Sequence, residues 1–292
     1  MNYLKPSIYS HLLQASLLKL MIICFNWYRD FAPAALKHRR NVKQCHVSDV
    51  AILALLLWQT ELGIESQKRF YRTCVEDKYS ISRSRFNRRA RQLEPFIKLI
   101  NLELNQEVDL SDTYLVVDSF PMPLCQPVRN LRAKLFKGIA DIGYKATKKT
   151  HYYGFKAHFI ASDDGYLLGY VVTKASVHDA RELPELIANV SPENRLILGD
   201  EGYIGKHMHN DLRKQGYIIW TPYRRNMKDA KKHNDHLLMA DRRTIETEFS
   251  ELANYNAEND RARCLIGYQE RLDLAVLASN MSYCMHRFKT NN

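Results

Sequence analysis

The sequence predicts an α/β protein, with an all-helical N-terminal region followed by a mixed sheet flanked by helices. Two observations carry this. Up to about residue 106, apolar residues recur at three- and four-residue spacing with almost no glycine, the period of helices packed on one side. From residue 112 the pattern changes to short apolar runs divided by turn residues, in the order three strands, helix, strand, helix, strand, helix. At 292 residues and 46% hydrophobic content the chain can hold one large domain or two ordinary ones, and it is not a disordered tail.

In the N-terminal region, "HLLQASLLKLMIICFNWY" (11 to 28) is apolar but contains Lys19 and runs into Arg29 and Asp30. It also lacks a small-residue cleavage pattern, so neither a signal peptide nor a membrane span is expected. "VAILALLLW" (50 to 58) is too short for a bilayer and reads as a core helix. The stretch 66 to 93 then reads as a helix, a turn at Asp77 to Ser80, and a second helix with Ser82 as its N-cap. Five arginines follow without an acid, Arg83, Arg85, Arg88, Arg89 and Arg91, while Phe86 and Leu93 face inward. Such a helix suits a helix-turn-helix in which arginines hold phosphates or read guanine edges; the plainer reading is an exposed helix with solvated arginines.

"TYLVVDS" (113 to 119) is the first strand, "YGFKAHFIAS" (153 to 162) the second and "YLLGYVVTKAS" (166 to 176) the third, the last two joined by Asp163, Asp164 and Gly165 in a tight hairpin turn. A helix over 179 to 190 tolerates Pro184 near its start. "RLILGD" (195 to 200) is the fourth strand, 206 to 215 a helix and "GYIIWTP" (216 to 222) the fifth strand. The last helix, 241 to 255, has Ile245, Phe249 and Leu252 on one stripe. The expected organisation is a helical DNA-binding region over 1 to 106 and a catalytic domain over 107 to 292, with a basic insertion at 120 to 152.

That order of elements is the order of the ribonuclease H fold, in which helices cover both faces of a mixed sheet. In that topology the first and fourth strands are parallel neighbours, so Asp118 and Asp200 emerge at one sheet edge. The helix from 241 onward crosses that edge with Glu246 beside its buried stripe. Three carboxylates gathered there repel one another unless a cation neutralises them. A pair of Mg²⁺ ions is the usual solution, and it suits in-line displacement at phosphorus.

Forty-three Lys and Arg against thirty-two Asp and Glu give a charge of +11, and the pI is about 9.3. Such a chain attracts a polyanion, nucleic acid first and an anionic membrane surface second. The six cysteines form no CxxC pair or zinc spacing and read as reduced, structural residues.

"VVDSFPMPLCQ" with Asp118, "KASVHDA" with His178 and Asp179, "ILGDEGYIGK" with Asp200 and "RRTIETEFSEL" with Glu246 together resemble bacterial insertion-sequence transposases of the DDE type, most closely insertion-sequence family 982. The resemblance runs from the helical region through the end of the catalytic domain. It implies that Asp118, Asp200 and Glu246 bind two Mg²⁺ ions, with Mn²⁺ able to substitute. It further implies that the enzyme nicks element ends, frees a 3′-OH and joins it to target DNA. Paired terminal repeats and a homo-oligomer in the bacterial cytoplasm, at the nucleoid, follow from the same likeness. In related enzymes the acidic helix carries a Tyr, Arg, Glu, Lys signature. Here Arg242 stands four residues before Glu246, while Met239 and Ala253 occupy the Tyr and Lys positions.

Other residues carry paired readings. Arg242 is either a phosphate contact or the i, i+4 ion-pair partner of Glu246. Asp179 and His178 either lie near the metals or serve as a helix cap and a loop residue. Glu201 is expected to point away from Asp200. The insertion carries Arg129, Arg132, Lys134, Lys137, Lys145, Lys148 and Lys149 against the single acid Asp141, and is expected to be a long loop lining a DNA channel. Tyr144, Tyr152 or Tyr153 would stack there on unpaired bases. Arg224, Arg225, Lys228, Lys231 and Lys232 form a second basic loop with the same expectation. The alternatives to a transposase are a ribonuclease H-like nuclease or resolvase without strand transfer, and a catalytically idle DNA-binding derivative.

Overall fold

The computed structural model describes residues 6–110, 113–145, 149–188, 190, 195–259 and 262–290, with side chains described from residue 16 to residue 284. The chain divides into two compact units, Met1–Glu107 with Tyr255–Ala278, and Val108–Asn254 with Ser279–Asn292.

In the first unit, α1 (Pro6–Phe31), α2 (Ala34–Lys37), α3 (Asp49–Glu61), α4 (Gln67–Phe70) and α5 (Arg83–Gln106) follow one another. The apolar run 50 to 58 is the middle of α3, buried on all sides, and Ser48 caps it by accepting the Ala51 N–H at 3.1 Å. No helix among the described residues is long and apolar enough to cross a membrane. Past α4 the chain widens into a π turn over Tyr71–Val75 before the turn that leads to α5. Ser82 does stand at the N-cap of α5, yet its hydroxyl faces that of Ser84 and caps no helix N–H. Residues 255–278, placed with the catalytic domain by the sequence, belong to this unit. There Asn101 donates to the Asp273 carbonyl at 3.1 Å, and Arg271 donates to the Ile64 carbonyl at 3.2 Å.

The second unit holds a six-stranded mixed sheet: β1 (Leu115–Cys125), β2 (Asp141–Lys145), β3 (Thr150–Ser162), β4 (Leu167–Lys174), β5 (Arg195–Leu198) and β6 (Tyr217–Trp220). β3 is antiparallel to β1, β2 and β4, while β1, β5 and β6 run parallel. Without β2 the order is β4-β3-β1-β5-β6, consistent with the ribonuclease H arrangement. Helices α6 (Asp179–Leu186), α7 (Lys206–Lys214), α8 (Ala230–His233), α9 (His236–Asp241) and α10 (Thr244–Asn254) complete it, and α11 (Leu265–Thr290) ends the chain. On one face Leu115, Val117 and Ile160 pack with Leu183, Leu186 and Tyr203. On the other, Phe249 of α10 packs against Phe120 and Phe159 with ring centroids 5.2 and 5.7 Å apart.

Two expectations are corrected here. The 120 to 152 segment is not a structureless loop: β1 continues to Cys125, a 3-10 turn covers Pro127–Arg132, and β2 pairs with β3 from Asp141 to Lys145. Pro121 and Pro123 are tolerated because residues two apart lose their N–H groups on one edge, and β5 pairs with β1 only at Leu115 and Val116. The helix expected over 241 to 255 is α10, which starts three residues later than expected. Arg242 is the C-cap of α9, and α10 begins at Thr244.

Candidate active site

Two strands aim two acids at one place. Leu115 and Val116 of β1 lie opposite Ile197 and Leu198 of β5 in parallel register, and Asp118 and Asp200 each follow two residues later. Asp118 Oδ1 accepts the Ser119 N–H at 2.7 Å, and Oδ2 accepts from Arg242 at 3.1 Å. Asp200 Oδ1 accepts the Gly202 N–H at 2.8 Å and so starts a short 3-10 turn. Gly202 is where the backbone must pass closely. A Cβ there would come within 2.8 Å of both Asp200 Oδ1 and Asp179 Oδ2, so the two carboxylates flank one glycine.

The surroundings disfavour uncompensated charge. Burial pushes the Asp118 carboxyl up to about 7, the Asp200 charge adds to the rise, and the Arg242 guanidinium opposes it. Burial also raises Asp200, against the Gly202 N–H, with Asp179 raising it further. A group whose folded pKa exceeds its unfolded value adds stability below the unfolded value and loses it as pH rises through the folded one. Without added cations, the chain is therefore expected to lose stability as pH rises from 3.8 to about 7 in the window set by Asp118. Chemical denaturation across that range checks this, and an Asp118→Asn variant should flatten the trend.

Glu246 is placed differently from the other two acids. It lies in the first turn of α10 with 57% of its side chain exposed, and it faces Arg242 at 3.4 Å. Arg242 thus bonds both Asp118 and Glu246, the second being the i, i+4 pair. Among the described residues, no three Asp, Glu, His or Cys side chains are set to hold one ion together. The donor chemistry nevertheless fits a hard divalent cation at Asp118 and Asp200, whose oxygens are the ligands Mg²⁺ takes and whose charge is otherwise poorly compensated. A cavity of about 340 Å³ opens beside them, lined by Asp200, Glu201, Pro222, Met239, Arg242 and Arg243. Glu201, expected to point away, shares this cavity with Asp200.

Comparison with known families agrees with this construction. The model of the transposase DDE domain matches residues 110–264, just over half of the chain. The chain belongs to the DDE transposases. Among solved structures, a cryo-EM structure of a piggyBac transposase synaptic complex with hairpin DNA is similar over 91% of this chain and 76% of its own, with TM-score 0.52 and 10% identity. At that identity the likeness is one of fold. No curated protein matches the sequence.

In this transposase the auxiliary residues separate. His178 is exposed and is itself the N-cap of α6, its Nδ1 accepting the Ala180 N–H at 3.4 Å, where the cap had been expected at Asp179. Asp179 opens α6, yet its carboxylate also takes the Lys156 ammonium at 3.0 Å and approaches Asp200 across Gly202. Three residues here were missed by sequence reading. Lys156 and the fully buried His158 alternate on one face of β3, and His158 Nδ1 lies 3.5 Å from Asp179. The available signal was a Lys and a His two apart inside an otherwise apolar strand.

Tyr203 is the third. It is fully buried, its hydroxyl has no hydrogen-bond partner among the described residues, and its pKa is raised by burial and then by the charges of Asp118, Asp179 and Asp200. A buried unsatisfied hydroxyl costs about 1–3 kcal/mol. Tyr203→Phe is therefore expected to leave the metal-free protein as stable as the wild type or up to about 2 kcal/mol more stable. A clear loss in a urea titration would show that the phenol is bonded in solution.

The basic residues named from sequence also divide. Arg83, Arg85, Arg88 and Arg91 are exposed on α5, but Arg89 is buried: it donates to the Val47 carbonyl and pairs with Asp49. Spaced three after Phe86 and four before Leu93, it lies on the buried stripe of its helix and is removed from the nucleic-acid contacts. Arg129, Arg132, Lys134, Lys137 and Lys149 are exposed around the β1 to β3 connection, as are Arg224 and Arg225; Lys148 lies outside the described residues. Tyr144 is 53% exposed, whereas Tyr152 and Tyr153 are buried and cannot stack on bases.

Proposed function

We propose that this chain cleaves DNA at the ends of a mobile element and joins the freed 3′-OH to target DNA, with Asp118, Asp200 and Glu246 holding two Mg²⁺ ions, or Mn²⁺ in their place. The observation that carries the reading is the delivery of Asp118 and Asp200 to one sheet edge by adjacent parallel strands, in a chain of the DDE transposase family. When bound, two such ions stabilise the attacking and leaving oxygens of an in-line displacement. Asp118 and Asp200 supply half-buried carboxylates whose ionisation a cation restores. Glu246 supplies the third from a helix start, once Arg242 exchanges its two carboxylate partners for a phosphate of the scissile strand.

The motif likeness to insertion-sequence family 982 supports a bacterial, cytoplasmic enzyme acting on terminal repeats. The similar piggyBac structure is a synaptic complex, which supports action on paired ends; a homo-oligomer is proposed from the motif likeness. Exposed Arg129, Arg132, Lys134, Lys137, Arg224 and Arg225 in the catalytic unit are proposed DNA-backbone contacts. A supercoiled-plasmid assay carrying the element ends, with Mg²⁺ or Mn²⁺, tests the reading. Cutting at the ends and joined product are expected; cutting with no joining would replace it by a nuclease or resolvase.

A further inference from the structure

A cleft of about 280 Å³ lies within the helical unit, far in sequence from the acids. One wall is the turn after α2, contributing Asn41, Gln44 and His46; the other is Ser80 and the first turns of α5, contributing Arg85 and Arg88. The segment from Lys37 to His46 contains Lys37, His38, Arg39, Arg40, Lys43 and His46 and no acid. Arg40, Lys43, Arg85 and Arg88 are exposed, and none has an ion-pair partner among the described residues.

The cleft is held open by a buried ion triad. Asp49, at the first position of α3, is 6% exposed and accepts a two-armed bond from Arg39 of the first wall. The same carboxylate accepts from Arg89 of the second wall, which also holds the Val47 carbonyl. Two guanidiniums thus share one carboxylate and serve as struts, while Arg85 and Arg88 line the cleft with no ion-pair partner among the described residues. Unpaired guanidiniums beside neutral amide and hydroxyl groups form a set that recognises phosphodiester oxygens, because arginine presents paired donors and the neutral groups fill the remaining acceptor sites.

We propose that this cleft is a docking site for the phosphodiester backbone of duplex DNA, with Arg85 and Arg88 as its central contacts and the Asn41 to His46 turn as its second jaw. It rests on the reading of the chain as a DNA-acting enzyme, and it replaces a single recognition helix by a two-walled grip in which Arg89 and Arg39 position the jaws.

The test uses the full chain and a short duplex of arbitrary sequence, followed by fluorescence anisotropy over a salt series. Each phosphate contact adds about 0.9 to the slope of log affinity against log salt, so Arg85→Ala with Arg88→Ala should lower the slope by about 1.8. Arg72→Ala with Lys98→Ala removes the same charge from exposed positions of this unit outside the cleft and should change it little. Cys45, an exposed thiol in the cleft lining, gives a second readout: the duplex should slow its alkylation, read by mass spectrometry. An equal fall in slope for both double variants, or no protection of Cys45, would overturn the site. DNA binding with these signatures and no strand cutting would leave the cleft standing and overturn the transposition reading instead.

Discussion

Asp200→Asn should abolish metal-dependent cutting and joining in the plasmid assay while DNA binding persists. Asparagine keeps the size of the side chain and an oxygen for the Gly202 N–H, which Asp200 accepts at 2.8 Å, so the turn at Glu201–Tyr203 survives. What disappears is the charge that a divalent ion needs beside Asp118. Stabilisation by such ions is worth several kcal/mol, and about 4 kcal/mol corresponds to roughly a thousandfold in rate. The variant also removes a neighbour that raises Asp118, so Asp118 should ionise at lower pH in the metal-free protein. Cutting at the wild-type rate would mean that Asp200 is an ordinary polar strand end and that the paired-strand argument fails.

Asp49→Ala should cost about 3–5 kcal/mol of stability, the usual result of removing one member of a buried ion group. The carboxylate is 6% exposed and stands between Arg39 and Arg89, with the Tyr28 hydroxyl 3.4 Å away. Its loss leaves two guanidiniums facing each other, one of them 9% exposed and unable to reach water freely. A urea titration reads this directly. A loss below about 1 kcal/mol would show that the guanidiniums rehydrate, as exposed ion pairs do. The same variant should weaken DNA binding even though Asp49 is acidic, because it releases both jaws of the proposed cleft.

Much of the core was legible from local pattern. The run Leu115 to Val117 before Asp118, the hairpin turn with Gly165 at φ 103°, and the all-round apolar α3 each carry their signal within a few residues. β2 was not legible, because "DIGYK" is short, contains a glycine and sits among basic residues. It is a strand only because residues 150 to 154 of β3 offer it a ladder. Arg89 misled for a related reason: its spacing placed it on the buried stripe, but its charge argued for the surface, and the acid that permits burial lies forty residues away.

The sequence by itself determined the succession of five of the six strands, the strand ends that carry Asp118 and Asp200, and membership in a DDE-like pattern. These follow from periodicity and short-range chemistry, which travel with the residues wherever the chain goes. Only the tertiary structure decided that Arg242 lies between Asp118 and Glu246, that Asp179 meets Asp200 across Gly202, that Tyr203 is buried without a partner among the described residues, and that Arg39 and Arg89 share one carboxylate. Each of these depends on which charges are left facing one another after packing, a long-range outcome set by burial and by partners distant in sequence.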